Sequence, residues 1–226
     1  MGHAIVPQET RDYFVQVEEY QNSFLIRPDD GLEGALKHCE ENGLPKISVS
    51  AAQGKLLKLL ALSIGAKRIL EIGTLGGYST IWMAQALPDD GELIALEISE
   101  KHAKIARENI DTARVRNVKV VVGDANEILA SLTPEKPFDF IFVDANKESY
   151  PNYFREAKRL VRKQGVIVID NIVWNGEVAD LTHTDPEIEG IRATLAELKA
   201  DKEVEATTIS MVGEKGYDGF VYAVKL

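Results

Sequence analysis

A single cysteine, no block of cationic residues and no long apolar run set the first limits on this chain of 226 residues. Cys39 alone cannot close an internal disulfide, and it excludes any multi-thiolate zinc or iron–sulfur centre. A reducing, cytoplasmic setting fits that composition. Lys and Arg number 26 against 36 Asp and Glu, a formal balance of −10. An acidic excess of this size repels phosphate backbones and anionic lipid, and no basic patch offsets it locally, so neither nucleic acid nor a membrane surface is an expected partner. No window approaches the ~18 consecutive apolar residues that span a bilayer, and Met1 to Pro7 carries no cationic segment leading into an apolar stretch. Membrane insertion and secretion are therefore not expected. Repeats and low-complexity segments are missing as well, which removes solenoid architectures.

What is present is 45% hydrophobic, enough for the core of one domain. Short β-branched runs alternate with helical patterns. Strands are expected over 68–72, 92–97, 118–122, 138–143 and 166–169, with helices over 78–87, 100–113, 126–132 and 153–161 between them. Near-continuous apolar strands in five such units predict a parallel sheet covered by helices on both faces. After a helix over 187–200, two further runs, 204–211 and 220–224, are separated by too few residues for a crossover and predict an antiparallel pair. Residues from about Glu9 to Leu62 read as three helices broken at Pro28 and around Asn42-Gly43-Leu44-Pro45, an N-terminal appendage or lid on a single α/β domain whose core spans about 66–226.

The first strand runs into Glu71-Ile72-Gly73-Thr74-Leu75-Gly76-Gly77-Tyr78-Ser79. Glycines at such a turn let a ligand approach the backbone, and the helix that follows offers free N–H groups to the crevice. The spacing is G-x-x-G-G and not the G-x-G-x-x-G of dinucleotide sites, which opposes a nicotinamide cofactor. Glu97, ending the second strand, stands where doubly wound folds place a carboxylate that accepts from ribose hydroxyls. Asp124 and Ala125 follow the third strand at the same edge, where they are placed to border an adenine, although Asp124 equally reads as a helix N-cap. An adenosine-containing ligand without phosphates suits this set.

With Gly123-Asp124-Ala125, Val143-Asp144-Ala145-Asn146-Lys147 and Asp170-Asn171-Ile172-Val173-Trp174-Asn175-Gly176 added, the chain resembles the metal-dependent S-adenosylmethionine O-methyltransferases of the catechol and caffeoyl-coenzyme A type, over roughly residues 45–225. The resemblance implies a Rossmann-like class I methyltransferase fold, a seven-stranded, mostly parallel sheet with an antiparallel last strand. It implies S-adenosylmethionine contacts at Val49, Glu71, Gly73, Thr74, Ser79, Glu97, Asp124, Ala125 and Asp144, and a divalent cation on Asp144, Asp170 and Asn171. An all-oxygen donor set selects Mg²⁺, Mn²⁺ or Ca²⁺ over zinc. The positions left open on a six-coordinate ion would take water and the two oxygens of a vicinal aromatic diol.

The resemblance also makes Lys147, with Asp144, catalytic. A neutral phenol is a poor nucleophile, so a cation that stabilises the phenolate and a lysine that removes its proton meet the chemical need. Lys147, Trp174 and Asn175 would face the substrate, Trp174 as an aromatic wall or else as core packing. Asn146 stands where the plant enzymes have aspartate, and no N-terminal lysine matches their thioester contact, so the implied acceptor is a catechol-like or hydroxycinnamoyl-type small molecule more than a coenzyme A ester. The stretch 178–189 reads as a variable loop whose His183 belongs to the surface. Homodimerisation is implied by the family alone. The competing readings are an NAD(P)-dependent oxidoreductase and a non-catalytic cofactor-binding module on a similar sheet.

Overall fold

The computed structural model describes residues 7–226, so the leader reading of residues 1–6 falls outside the described part. Seven strands form one sheet: β1 (Arg68–Ile72), β2 (Glu92–Glu97), β3 (Val118–Val122), β4 (Phe138–Val143), β5 (Val161–Ile169), β6 (Val204–Gly213) and β7 (Gly216–Lys225), in the order β3-β2-β1-β4-β5-β7-β6. Every pairing from β3 to β5 is parallel, and β7 runs antiparallel to both β5 and β6. The reversed last strand expected above is thus present. Strand order reverses between β1 and β4, and in such sheets the crevice outside the strand ends at that point is where ligands bind.

Eight α-helices accompany the sheet among the described residues: α1 (Gln8–Leu25), α2 (Asp30–Glu41), α3 (Ala51–Ser63), α4 (Tyr78–Ala84), α5 (Glu100–Thr112), α6 (Ala125–Ser131), α7 (Tyr150–Leu160) and α8 (Pro186–Ala200). Side-chain alternation along the strands divides the core in two. Ile69, Phe140, Phe142 and Val168 pack on one face against Leu32 and Ala35 of α2, Leu57 and Ala61 of α3, and Ile81 and Trp82 of α4. On the other face Leu70, Ile72, Ile141 and Val143 pack against Phe154 and Ala157 of α7 and Ile188 and Ile191 of α8. The N-terminal helices therefore have unequal roles. α2 and α3 complete a core layer, whereas α1 buries none of its residues.

Differences from the expected elements cluster at the ends. α4 stops at Ala84, and α7 starts at Tyr150, fully buried, with Pro151 in its first turn. β5 begins at Val161, where a polar stretch with Gln164 at φ 58 hides the strand from a hydrophobicity pattern; the register with β4 shifts between Phe138 and Phe140. β6 and β7 extend to a two-residue turn at Glu214-Lys215, so that Asp218, apparently part of an Asp-Gly turn, lies on the strand.

α3 reaches the core through Gly54. A Cβ there would lie 2.2 Å from Trp82 Cδ1, in a ring that is itself buried, whereas Gly34 of α2 faces open space. Gly→Ala in a helix is favourable by up to about 1 kcal/mol where nothing interferes, and overpacking a core costs about 1–3 kcal/mol. The two substitutions should therefore differ in sign: Gly34→Ala raises the melting temperature and Gly54→Ala lowers it, as read by thermal unfolding. A stabilised Gly54→Ala variant would refute the close α3–α4 contact.

Candidate active site

The carboxyl ends of β1 and β4 are pressed together by Gly73. Its φ of 89 places it in the left-handed region, and a Cβ would meet the Asp144 carbonyl oxygen at 2.2 Å, main chain that cannot turn aside. Gly76 likewise leaves room for Cys39 Sγ. Protein neighbours, and not only a ligand, thus demand glycine in this loop. Asp144 N–H donates to the Ile72 carbonyl (2.9 Å), and Asp170 N–H donates to Val143 (2.9 Å), so the ladder continues past the strands and sets the two aspartates side by side.

Glu71 is wholly buried below the loop. Ser79 Oγ donates to its Oε1 (2.5 Å) and Thr80 Oγ1 to its Oε2; Thr74 and Thr80 share a further hydrogen bond. Burial, only partly offset by these hydroxyls, pushes its pKa up to about 7. Glu97 accepts from Leu75 N–H (2.8 Å) and Ser99 N–H (3.0 Å), which holds the left-handed Leu75 in place and leaves further lone pairs on the carboxylate. Asp124 caps α6 through Asn126 N–H (2.8 Å) while also bordering the cleft.

That cleft, about 510 Å³, brings together Val49, Gly73, Thr74, Ser79, Glu97 and Asp124 with Ala125, Asp144, Lys147, Asn171 and Trp174. A second cavity of about 1010 Å³ lies between α1, residues 46–53 and the β6–β7 turn, with Asp170, Asn171 and Asp218 in its wall. The strip Ile47-Ser48-Val49 and Asn171 belong to both. Two spaces meeting at one set of oxygen donors can hold a donor molecule and an acceptor molecule face to face.

At the junction Lys147 Nζ donates to Asp144 Oδ1 (3.1 Å) and sits 5.8 Å from the Trp174 ring centre and 5.6 Å from that of Tyr150. Asp170 is 4% exposed. Its Oδ1 accepts from Gln53 Nε2 (2.7 Å) and Asn171 N–H (2.9 Å), yet burial and the neighbouring Asp144 hold its pKa well above the carboxylate range. Two carboxylates and one amide oxygen, crowded and short of positive charge, form a donor set suited to a hard divalent cation. Among the described residues no group of three His, Cys, Asp or Glu side chains is arranged around a metal position. Trp174 both lines the smaller cleft and packs on the core. Two expected site residues line neither cavity: Asn175, which is exposed with φ 54, and Glu71, an expected cofactor contact, which is wholly buried below the loop. His183 is half-exposed and pairs with Glu177 (3.3 Å).

Two site residues escape a sequence reading. Ser50-Ala51-Ala52-Gln53 has the form of a capping box, in which Gln53 would turn back to its own helix start; instead its side chain crosses to Asp170. Asp218 has the form of a turn residue.

A model of the O-methyltransferase family matches residues 29–225. The chain belongs to that family. A catechol O-methyltransferase of Niastella koreensis is 47% identical over 214 residues, covering 93% of this chain and 97% of that one. A catechol O-methyltransferase of Mycobacterium tuberculosis is 43% identical, covering 92% and 94%. Among solved structures, an O-methyltransferase of Bacillus cereus in complex with SAH superposes with a TM-score of 0.93 at 45% identity, over 95% of this chain and 99% of that one. Membership of this family disfavours the oxidoreductase and non-catalytic readings. α1 lies outside the matched range.

The buried Glu71 makes this methyltransferase's stability depend on pH. A carboxyl raised in the fold contributes stability that is complete below its unfolded value near 4.5, declines as pH rises, and is gone above about 7. The loss amounts to about 3 kcal/mol. Glu71→Gln should therefore unfold at a temperature less dependent on pH between 5 and 7.5 than wild type, as measured by calorimetry. Parallel pH profiles of the two proteins would contradict a neutral Glu71.

Proposed function

We propose that this O-methyltransferase moves the methyl group of S-adenosylmethionine to one hydroxyl of a catechol-like small molecule, with a divalent cation, Mg²⁺ foremost, on Asp144, Asp170 and Asn171. The observation that carries the reading is the position of these residues and Lys147 where the two cavities meet. Support for the cofactor comes from the Gly73 loop, the open lone pairs of Glu97 and the SAH complex of the Bacillus cereus relative. Support for the acceptor comes from the two relatives named for catechol.

In this reading Glu97 accepts from the ribose hydroxyls, and Thr74, Ser79 and Val49 enclose the remainder of the cofactor. When bound, the cation supplies electrostatic stabilisation of a phenolate and orients the diol. Lys147 takes the hydroxyl proton while Asp144 holds its ammonium form, and Trp174 shields that pair from water. The oxygen then attacks the methyl carbon in line as the carbon–sulfur bond breaks, giving a methyl ether and S-adenosylhomocysteine. The acceptor enters through the larger cavity, whose wall carries Phe14 and Val17 of α1.

We also propose a homodimer in the cytoplasm. It is supported by the exposed stripe Tyr13, Val17, Tyr20 and Phe24, one face of α1 at helical spacing, and by β6, an edge strand without a charged side chain from Ala206 to Val212. The buried free thiol of Cys39 suits a reducing compartment. No helix among the described residues is long and apolar enough to cross a membrane.

Three outcomes test these readings. Asp170→Ala should lose turnover on the order of 10³-fold and all response to added Mg²⁺ or chelator, since such an ion contributes several kcal/mol; undiminished activity in chelator refutes the metal. Lys147→Ala should slow turnover by about 10²–10⁴-fold with S-adenosylhomocysteine affinity retained, and an unaltered pH–rate profile argues against a base there. Phe24→Glu should halve the mass seen in light scattering, and a monomeric wild type would end the dimer reading.

A further inference from the structure

Asn171 can serve a cation only through its amide oxygen, so whatever fixes the direction of that amide controls the site. Its Nδ2 donates to Asp218 Oδ2 (3.0 Å), and Asp218 Oδ1 accepts three main-chain N–H groups, from Val173 (3.2 Å), Trp174 (3.0 Å) and Gly219 (2.8 Å). A carboxylate only accepts, so the side of the amide that faces it must be the NH₂, and the carbonyl oxygen is left for the cavity. Asn171 Oδ1 makes no hydrogen bond to protein among the described residues. Asn171 itself sits at φ 52, and the loop continues with Trp174 at φ 49 and Asn175 at φ 54, conformations that persist only when surrounding contacts impose them. Asp218, anchored on β7, supplies three of those contacts to one short segment.

From this geometry we infer that Asp218 is a positioning residue for the metal site: it fixes the Asn171 amide with its oxygen outward and holds the loop that carries Trp174. The inference rests on the cation reading given above. Asp218 is not itself a ligand, because four donors already occupy its two oxygens. Groups that orient metal ligands in this way are worth about 10–100-fold in metal affinity.

The decisive comparison exchanges the two residues. In Asp218→Asn, the three main-chain N–H groups keep the new amide oxygen at the Oδ1 position, so its NH₂ faces the NH₂ of Asn171 and the latter must turn its oxygen inward. In the double variant Asn171→Asp with Asp218→Asn, the same NH₂ donates to a carboxylate at 171. The hydrogen bond then reforms in the opposite sense, the total charge is unchanged, and an oxygen again faces the cavity. Calorimetric titration of the full chain with Mn²⁺ should show a 10–100-fold weaker Kd for Asp218→Asn and recovery to within a few-fold in the exchanged double variant. S-adenosylhomocysteine affinity and the metal-free melting temperature should stay close to wild type in both. Unchanged Mn²⁺ affinity in Asp218→Asn overturns the inference, and so does a parallel loss of S-adenosylhomocysteine affinity and stability, which marks a merely structural role. Failure of the exchange to restore binding also overturns it, since that result makes Asp218 a direct ligand. If wild type itself takes no Mn²⁺, or Asp170→Ala takes it equally well, the cation reading fails and this inference fails with it.

Discussion

The site depends on keeping two carboxylates next to each other in an environment that disfavours charge. Parallel pairing of β1, β4 and β5 dictates this, because the ladder carries on for one residue beyond each strand and delivers Asp144 and Asp170 to adjacent positions. At Asp170, burial and the neighbouring Asp144 favour protonation. The neighbours of the two acids are partly local, a lysine three residues beyond Asp144 and the Asn171 N–H beside Asp170, and partly distant, the Gln53 amide of α3. On the proposed reading, a divalent cation supplies the positive charge that Lys147, paired with Asp144, does not bring to Asp170.

The two cavities divide the labour. The smaller is walled by loops that follow β1, β2, β3 and β4, among them the Gly73 loop with its close main-chain approach to Asp144. The larger is bounded by α1 and the β6–β7 turn, where Glu18 accepts from the Glu214 N–H (2.7 Å) and few apolar contacts hold the wall in place. On the proposed reading, recognition of the cofactor and of the acceptor thus falls to differently packed parts of the molecule.

Much of this was legible in the sequence because parallel strands buried on both faces announce themselves as apolar runs, and because the acids that end them interrupt those runs. Glu97, Asp144 and Asp170, which border the two cavities, stand out for that reason. Residues whose local pattern mimics another purpose do not. Gln53 fits a capping box and Asp218 fits a turn, so each has an adequate local explanation that hides its contact across the fold. β5 is half visible, since Arg162-Lys163-Gln164 carries the polarity of a loop and falls between the paired residues Val161 and Val166, where the ladder with β4 is interrupted. Asn175 failed differently: it sits one residue beyond Trp174, and a left-handed backbone directs it away from both cavities. No periodicity encodes that reversal.

α1 walls the larger cavity, the acceptor site on the proposed reading, and yet contributes no buried residue to the core. Substitutions on its inner face can therefore reshape the cavity at little cost in folding stability, whereas the same changes on β4 or α4 would disturb tightly packed side chains. The range of acceptors is in this sense a property carried on a replaceable part. Selection can retune it across descendants while the sheet, the cofactor loop and the paired aspartates are inherited intact.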